Sequence, residues 1–200
     1  ITENGWHLNF KGTSNISKTN SAKAKGHEAD GTKNYQVNLN GNRWLSDNLK
    51  LKSTFYYRDT KSDYDSSDTK EESVTSDNKM YAIQAGVEQK TSGLLDNLMF
   101  HYHNYDRKYY VQGRKDKYYS ESLVAKVERE VLSNQKFSYG FGSEYKYDWG
   151  HYLTKTFSSQ TKGHLSNLGI FVNAGYRVDK NLLLSFHGRN DDHKETGGNK

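Results

Sequence analysis

The chain has 200 residues, of which 32% are hydrophobic and 26% are charged, and its mean hydropathy of -1.05 is too low for a conventional compact core. The absence of Cys excludes disulfides and thiolate metal sites. With 16 Tyr and 8 Phe it is no low-complexity disordered chain, and its net charge of +5 comes from scattered lysines, which does not indicate a nucleic-acid partner.

Apolar and polar residues alternate through nine segments, and this period predicts β-strands because successive side chains of a strand point to opposite faces. The predicted strands, in chain order, are 5–17, 35–45, 49–58, 81–91, 98–103, 119–131, 135–149, 168–178 and a last strand from 182. No run of apolar residues is long enough for a transmembrane helix, and the chain opens without the basic start and apolar stretch of a signal peptide.

The connections between these strands alternate in predicted length. Short turns are expected near Ser46, Gly93, Ser133 and Lys180. Long polar loops are expected over 18–33, 59–78, 106–117 and 148–166. Strict alternation of short and long connections is typical of an up-and-down meander whose turns lie in the periplasm and whose loops lie outside the cell.

The segment 135–149 shows the difference between the two faces of a predicted strand most clearly. Phe137, Tyr139 and Phe141 share one face, whereas Gly140 and Gly142 lie on the other among polar residues. A Tyr- and Phe-rich face opposite a small polar face suits a wall between lipid and a watery interior. We therefore predict an all-β antiparallel meander of about nine long strands, of roughly ten to fourteen residues each. Nine is odd and lipid does not tolerate open sheet edges, so we expect an arc of a larger transmembrane β-barrel, an internal piece of a longer secreted precursor.

Short motifs in the predicted loops carry a family resemblance. They are His27-Glu28-Ala29-Asp30-Gly31, Tyr64-Asp65, Asp68-Thr69-Lys70 and Gly188-Arg189-Asn190-Asp191-Asp192. With the order of turns between them, they make the chain from about Gly5 to Asn199 similar to the barrel of a TonB-dependent outer-membrane receptor, nearest the vitamin B12 (cobalamin) receptors. The resemblance implies a barrel of 22 strands, of which residues 1–200 form a part without the plug domain.

The same resemblance implies the function and its residues. It implies TonB-dependent uptake of cobalamin or a similar large chelate across the bacterial outer membrane. TonB would act through the absent plug, lipid and lipopolysaccharide would surround the barrel, and a monomer is expected. By resemblance, calcium would bind Glu28, Asp30, Asp65 and Asp68, and Tyr64 would contact the substrate. Oxygen-rich acidic loops suit calcium chemically.

Other readings of the same sequence stay open. They are a siderophore or haem receptor, a passive porin or adhesin-like barrel, and a soluble β-rich binding protein. No nucleophile elbow, HExxH motif or phosphate-binding glycine loop is present, so we do not expect an enzyme.

Several residues allow a functional and a structural interpretation. His101 and His103 suit a metal contact or, better, a polar lumen wall. Arg189 with Asp191 and Asp192 suits substrate contact or, better, an ion-pair cluster at the barrel rim. Gly140 and Gly142 are expected to allow bending or close packing against a plug. Scattered cations suit anionic ligands or a solubilising surface: Lys50, Lys52, Arg58, Arg107, Lys108, Arg114 and Lys115. Aromatic residues expected near strand ends, as in interfacial belts, are Trp6, Trp44, Tyr56, Tyr57 and Phe137.

Overall fold

A computed structural model describes residues 5–18, 31–65, 73–111, 114–131, 136–154 and 159–199. Within these ranges the chain forms nine antiparallel strands that follow one another in the sheet in sequence order. Their bounds are β1 Trp6–Lys18, β2 Gly31–Ser46, β3 Leu49–Asp65, β4 Ser73–Thr91, β5 Leu94–Val111, β6 Arg114–Val131, β7 Phe137–Thr154, β8 Ser159–Arg177 and β9 Leu183–Asn199. The predicted all-β meander of about nine strands is confirmed. The described ranges hold no helix long and apolar enough to cross a membrane.

The strands are longer than predicted and their loop-side ends were placed wrongly. They contain 13 to 19 residues, against an expected ten to fourteen. Most residues of the predicted loops 106–117 and 148–166 belong to strands. Only residues 112–113 lie between β5 and β6, and only residues 155–158 lie between β7 and β8. The predicted strict alternation of short and long connections is therefore wrong. Antiparallel pairing continues where both faces of the sheet are polar, and hydrophobic alternation cannot reveal a strand of that kind.

The two faces of the sheet differ throughout. Residues paired across the strands share a face, so the register defines an apolar face and a polar face. One row of the apolar face runs Phe10, Leu39, Phe55, Ile83, Tyr102, Leu123, Tyr147, Ser166 and Lys194. Among described hydrophobic residues only Val74 and Ala82 are buried. The sheet is thus a single layer without a core, and its bulky apolar side chains stay exposed.

The short-turn ends of the strands cross the register rows at a slant. The row that starts at Trp6, the first residue of β1, reaches Asn190, seven residues beyond Leu183, the first residue of β9. Strands tilted by about 40° shift a level line by roughly one residue per strand, given spacings of ~4.8 Å between strands and ~3.3 Å along them. Eight strand steps therefore match tilted strands whose short-turn ends lie at one level. The bulky residues of the apolar face above these ends are called the apolar band below.

Aromatic residues of the apolar face also lie towards the loop ends of the strands. On the apolar face, the hydroxyls of Tyr102 and Tyr119 donate to the Glu121 carboxylate at 2.7 and 2.5 Å. The Tyr119 ring also meets the Trp149 ring edge-on, with 5.4 Å between their centroids. Tyrosines with an apolar ring and a satisfied hydroxyl are typical of a boundary between an apolar and an aqueous phase.

The predicted interfacial aromatics are placed partly as expected. Trp6 and Phe137 begin their strands on the apolar face, whereas Trp44, close to the end of β2, pairs with Lys50 on the polar face. The expectation for Tyr56 and Tyr57 is wrong, because both lie in the middle of β3, which continues to Asp65. Tyr56 is also on the polar face, one position from the apolar-face Tyr57.

Candidate binding site on the polar face

Near the loop ends of β5, β6 and β7 the polar face forms a recess of about 490 Å³. Its lining residues, called the tyrosine recess below, are Tyr105, Arg107, Tyr109, Asp116, Tyr118 and Tyr152. Those on β5 and on β6 lie two apart, and Tyr152 of β7 pairs with Tyr118, so all six side chains project from one face. The extended strands thus carry an aromatic and charged surface near their loop ends.

Contacts within the recess order its side chains. The rings of Tyr105 and Tyr118 meet edge-on with 5.9 Å between centroids. The Arg107 guanidinium carbon lies 5.7 Å from the centre of the Tyr109 ring. The Tyr105 hydroxyl donates to the Asn78 side-chain oxygen at 3.0 Å, which ties the ring to β4.

This combination favours a particular chemistry. Tyr rings offer flat apolar surfaces with polar tips, and few rotamers are lost when a ligand packs on them. Arg107 adds a planar cation that binds carboxylate or phenolate oxygens and stacks on aromatic groups. Concave sites with aromatic walls and a few polar groups are the usual form of small-molecule sites. The tyrosine recess is therefore suited to a large ligand with anionic or aromatic groups.

A second polar-face recess, of about 340 Å³, lies nearer the short-turn end. Arg189 donates to Glu144 at 2.9 Å and also contacts Asp191, which accepts a hydrogen bond from Asn167 at 2.8 Å. The predicted ion-pair cluster is therefore present, but its expected place at the barrel rim is wrong. Arg189 pairs with Phe171 within β9, and the neighbouring Asp192 belongs to the opposite face.

The glycines beside this cluster accept side chains of the adjacent strand. A Cβ atom on Gly142 would lie 2.4 Å from the Phe171 ring and 2.5 Å from the Val127 carbonyl oxygen. A Cβ on Gly140 would lie 2.3 Å from the Asn173 side chain. The expected close packing at these glycines is therefore made by the sheet's own residues. Phe171, laid across Gly142, brings its ring to 4.8 Å from the Lys126 ammonium nitrogen.

The residues predicted to bind calcium and substrate can be followed only in part. Glu28, Asp30 and Asp68 lie outside the described residues. Tyr64 and Asp65 end β3, where they pair with Val74 and Ser73 of β4. Within the described ranges, no group of three or more His, Cys, Asp or Glu could hold a metal ion. The calcium set itself stays a prediction from the resemblance.

The remaining predicted candidates divide between the two faces. His101 and His103 are neighbours on the polar face, with ring centroids 5.7 Å apart. Lys52 forms an ion pair with Glu88, and the Lys50 ammonium lies 5.2 Å from the Trp44 ring centre. Of the other predicted cations, Arg58, Arg107 and Arg114 are on the polar face and Lys108 and Lys115 on the apolar face.

Sequence reasoning missed the tyrosine recess for a definite reason. Residues 106–117 were assigned to a charged loop, which removed Arg107, Tyr109 and Asp116 from any strand face. The available signal was the spacing of Tyr105, Arg107 and Tyr109, two residues apart in continuation of a predicted strand. Where both faces of a strand carry polar or charged residues, spacing alone is a weak signal for the strand, because the opposing strands are not yet known.

Comparisons with known proteins were made on the sequence and on the fold. No family model matches the sequence, and no curated protein matches it. Solved structures do match. The ferric yersiniabactin uptake receptor FyuA from Yersinia pestis is 11% identical, with a TM-score of 0.66 over 98% of this chain and 39% of that one.

Two further receptors give the same picture. P. aeruginosa FpvA, solved with pyoverdine and iron, is 11% identical with a TM-score of 0.69 over 95% of this chain and 33% of that one. The alcaligin outer-membrane receptor FauA from Bordetella pertussis is 8% identical, with a TM-score of 0.67 over 96% and 32%. The likeness shows the fold. This chain spans between about a third and two fifths of those receptors, and its meander matches an arc of their barrel.

Proposed function

We propose that this chain is part of the barrel of a TonB-dependent outer-membrane receptor that imports a large chelate. The observation that carries the proposal is the exposed apolar face of a single-layer sheet whose tilted strands begin at one level. Long tilted antiparallel strands with one apolar and one polar face are the form of a membrane-spanning barrel. This geometry also disfavours the soluble β-rich binding protein, in which the aromatic face would be packed inside.

The polar face supplies the second argument. In a barrel of this kind it would line the interior, and the tyrosine recess would lie near the extracellular entrance. Unpaired backbone groups at the edges of β1 and β9 are not tolerated in lipid, so further strands would cover them. A plug domain and its TonB contact would lie outside residues 1–200.

For the substrate we propose an iron chelate ahead of cobalamin. The similar structures are named as receptors for yersiniabactin, pyoverdine and alcaligin. Arg107 beside the tyrosines would favour a chelate with exposed anionic oxygens. Cobalamin, with calcium held by Glu28, Asp30, Asp65 and Asp68 and with Tyr64 against the substrate, is the second candidate. It is supported by the loop motifs.

Binding to the full-length protein tests the proposal. A panel of ferric catecholate, ferric hydroxamate, ferric citrate and cyanocobalamin, each with and without calcium, would be titrated while intrinsic fluorescence is followed. We expect saturable binding of a ferric chelate and at least about tenfold weaker binding in Arg107→Gln, since one charge-assisted contact is worth ~1.5–3 kcal/mol. Arg58→Gln, on the same face of β3, is the matched control and should bind as the wild type does.

The outcomes separate the alternatives. Calcium-dependent binding of cyanocobalamin alone would replace the iron chelate by cobalamin. Absence of saturable binding to every member of the panel would favour a passive porin or adhesin-like barrel and contradict the import proposal.

A further inference from the structure

The two methionines of the chain lie on the polar face, beside the histidine pair. Met99, His101 and His103 occupy every second position of β5, so their side chains project from the same face. Met80 pairs with Tyr105, which places it diagonally from His103 on the neighbouring strand β4. The sheet has no core, so packing does not account for two apolar thioethers on its polar face. Met99, His101 and His103 are called the thioether–imidazole row below.

The two imidazole rings are spaced for one shared metal ion. The ring centroids of His101 and His103 are 5.7 Å apart, and the ring planes are tilted by 55°. A ring centre lies about 3.2 Å from a metal that is bound to one of its nitrogens at ~2.0–2.1 Å, so two rings on one metal have centres roughly 5–6 Å apart. The observed separation corresponds to a nitrogen–metal–nitrogen angle of about 125°, which leaves room for a third ligand.

The sulfur of Met99 is turned towards the same part of the polar face. The Gln84 side-chain amide donates to this sulfur at 2.9 Å, and Gln84 is paired directly with His101. The thioether therefore leans towards β4 and along it to the level of the first imidazole. A third donor is thus available next to the histidine pair.

The donor set selects the metal. A thioether is a soft ligand that favours Cu(I), and imidazole suits copper as well. Zinc sites are built from cysteine, histidine and carboxylate ligands. No group of three or more of those residues in the described ranges could hold a metal ion. Two imidazoles with one thioether therefore favour monovalent copper over zinc.

The charges around the thioether–imidazole row do not oppose a cation. Lys126 and Lys146 are the lysines of β6 and β7 that share register rows with it. Their ammonium groups contact the carboxylates of Glu128 and Asp148 at 2.9 and 2.8 Å. Each neighbouring positive charge is therefore offset by a carboxylate.

A buried hydroxyl is available to orient one of the imidazoles. Ser122 lies directly opposite His103 on β6 and is 2% exposed. Its Oγ has no hydrogen-bond partner among the described residues. A metal-bound imidazole donates its other N–H to an oxygen acceptor, which fixes the orientation of the ring. The Ser122 hydroxyl is placed for that role beside His103.

We infer that His101, His103 and Met99 bind one Cu(I) ion through two imidazole nitrogens and one thioether sulfur. The inference goes beyond the proposed import function and depends on neither its substrate nor its membrane location. His103 also lines a polar-face recess of about 460 Å³ that shares Tyr118 with the tyrosine recess. The metal site is therefore accessible from the polar face.

The test titrates Cu(I) into the full-length protein in detergent with ascorbate, in competition with the chromophoric chelator bathocuproine disulfonate. The variants are His101→Gln/His103→Gln and Met99→Leu. The control is His187→Gln/His193→Gln, which removes two imidazoles from the polar face of β9. We expect both variants to lose at least about tenfold in Cu(I) affinity and the control less than about twofold, because loss of a ligand costs at least as much as loss of its supporting contacts.

Two further measurements identify the metal and the sulfur ligand. Zn²⁺ should bind the wild type at least about tenfold more weakly than Cu(I). X-ray absorption at the copper edge should show a sulfur scatterer in the wild type that is missing in Met99→Leu. Equal Cu(I) affinities of His101→Gln/His103→Gln and its control, or a sulfur scatterer that persists in Met99→Leu, would overturn the inference. If the double variant does not fold, Met99→Leu decides alone, since it nearly conserves the side-chain volume.

Discussion

The two faces of the same strand ends use charge in opposite ways. Near the loop ends, the apolar face presents lysines opposite lysines, whereas the polar face presents tyrosines that contact one another and an arginine beside a ring. Lysine is a strongly hydrated point charge on a flexible stem, and arginine is a planar donor that stacks. The difference teaches that the apolar face is suited to adaptable polar contacts at these ends and the polar face to an ordered ligand.

Nearer the short-turn ends the comparison changes in kind. The apolar face becomes bulky and uncharged for most of its length, and the polar face becomes small, glycine-rich and ion-paired. A soluble sheet would bury one of these faces, yet among the described hydrophobic residues only Val74 and Ala82 are buried. Each face is therefore matched to a different solvent, and substitutions that exchange their properties test this interpretation directly.

The largest effect is expected from a charge placed at the centre of the apolar band. Ile83, with 48% of its surface exposed, lies there next to the polar-face Gln84. In lipid, Ile83→Lys should lower the free energy of unfolding by about 2–4 kcal/mol. The matched Gln84→Lys should change it by less than about 0.5 kcal/mol. Urea unfolding of the full-length protein in phosphatidylcholine vesicles measures both, and equal costs would contradict the assignment of the two faces.

A smaller effect is expected where two strands lack space for a side chain. Gly142→Ala would bring Cβ to 2.5 Å from the Val127 carbonyl oxygen, which cannot move as the Phe171 ring can. Overpacking of this kind costs about 1–3 kcal/mol. Gly150→Ala, on the same face of β7, meets only the Tyr119 carbonyl at 3.9 Å and should be neutral or slightly stabilising. The same unfolding assay compares the two variants.

Phe171→Ala introduced with Gly142→Ala separates the two contacts at that glycine. Since the Val127 carbonyl remains in place, the double variant should stay less stable than Phe171→Ala alone. Full recovery to the stability of Phe171→Ala would mean that the ring, and not the backbone, excludes a side chain from position 142.

The sequence was informative where one face of a strand is apolar and uninformative where neither is. Alternation through Phe137, Tyr139 and Phe141 identified β7, and the turn at Gly93, with φ of 82°, followed from its residue type. The continuations of β5 beyond Tyr105 and of β7 beyond Trp149 were missed, because strand pairing there depends on backbone hydrogen bonds to neighbours distant in sequence. The tyrosine recess was lost with them.

The sequence predicted the ion-pair cluster of Arg189 and Asp191 but placed it at the wrong end of the strand. Arg189 and Asp191 are two residues apart, which places them on one face of any strand. Their partner Glu144 lies 45 residues earlier in the sequence, and only the register of β7, β8 and β9 brings it within reach. Which rows align across three strands cannot be derived from local spacing.

The smallest effect is expected for the ion pair between Arg189 and Glu144. Its size shows whether water reaches this part of the polar face in the full-length protein. The side chains of Arg189 and Glu144 are 39% and 22% exposed in the isolated arc. A double-mutant cycle with Glu144→Gln and Arg189→Gln should give a coupling energy of about 1 kcal/mol or less, the range of exposed pairs. Removing one partner of a buried pair costs about 3–5 kcal/mol, so a coupling above about 2 kcal/mol would mean that another part of the full-length protein covers the cluster. That result would sharpen the comparison of the faces, because the polar face would then be watery at the tyrosine recess and sealed below it.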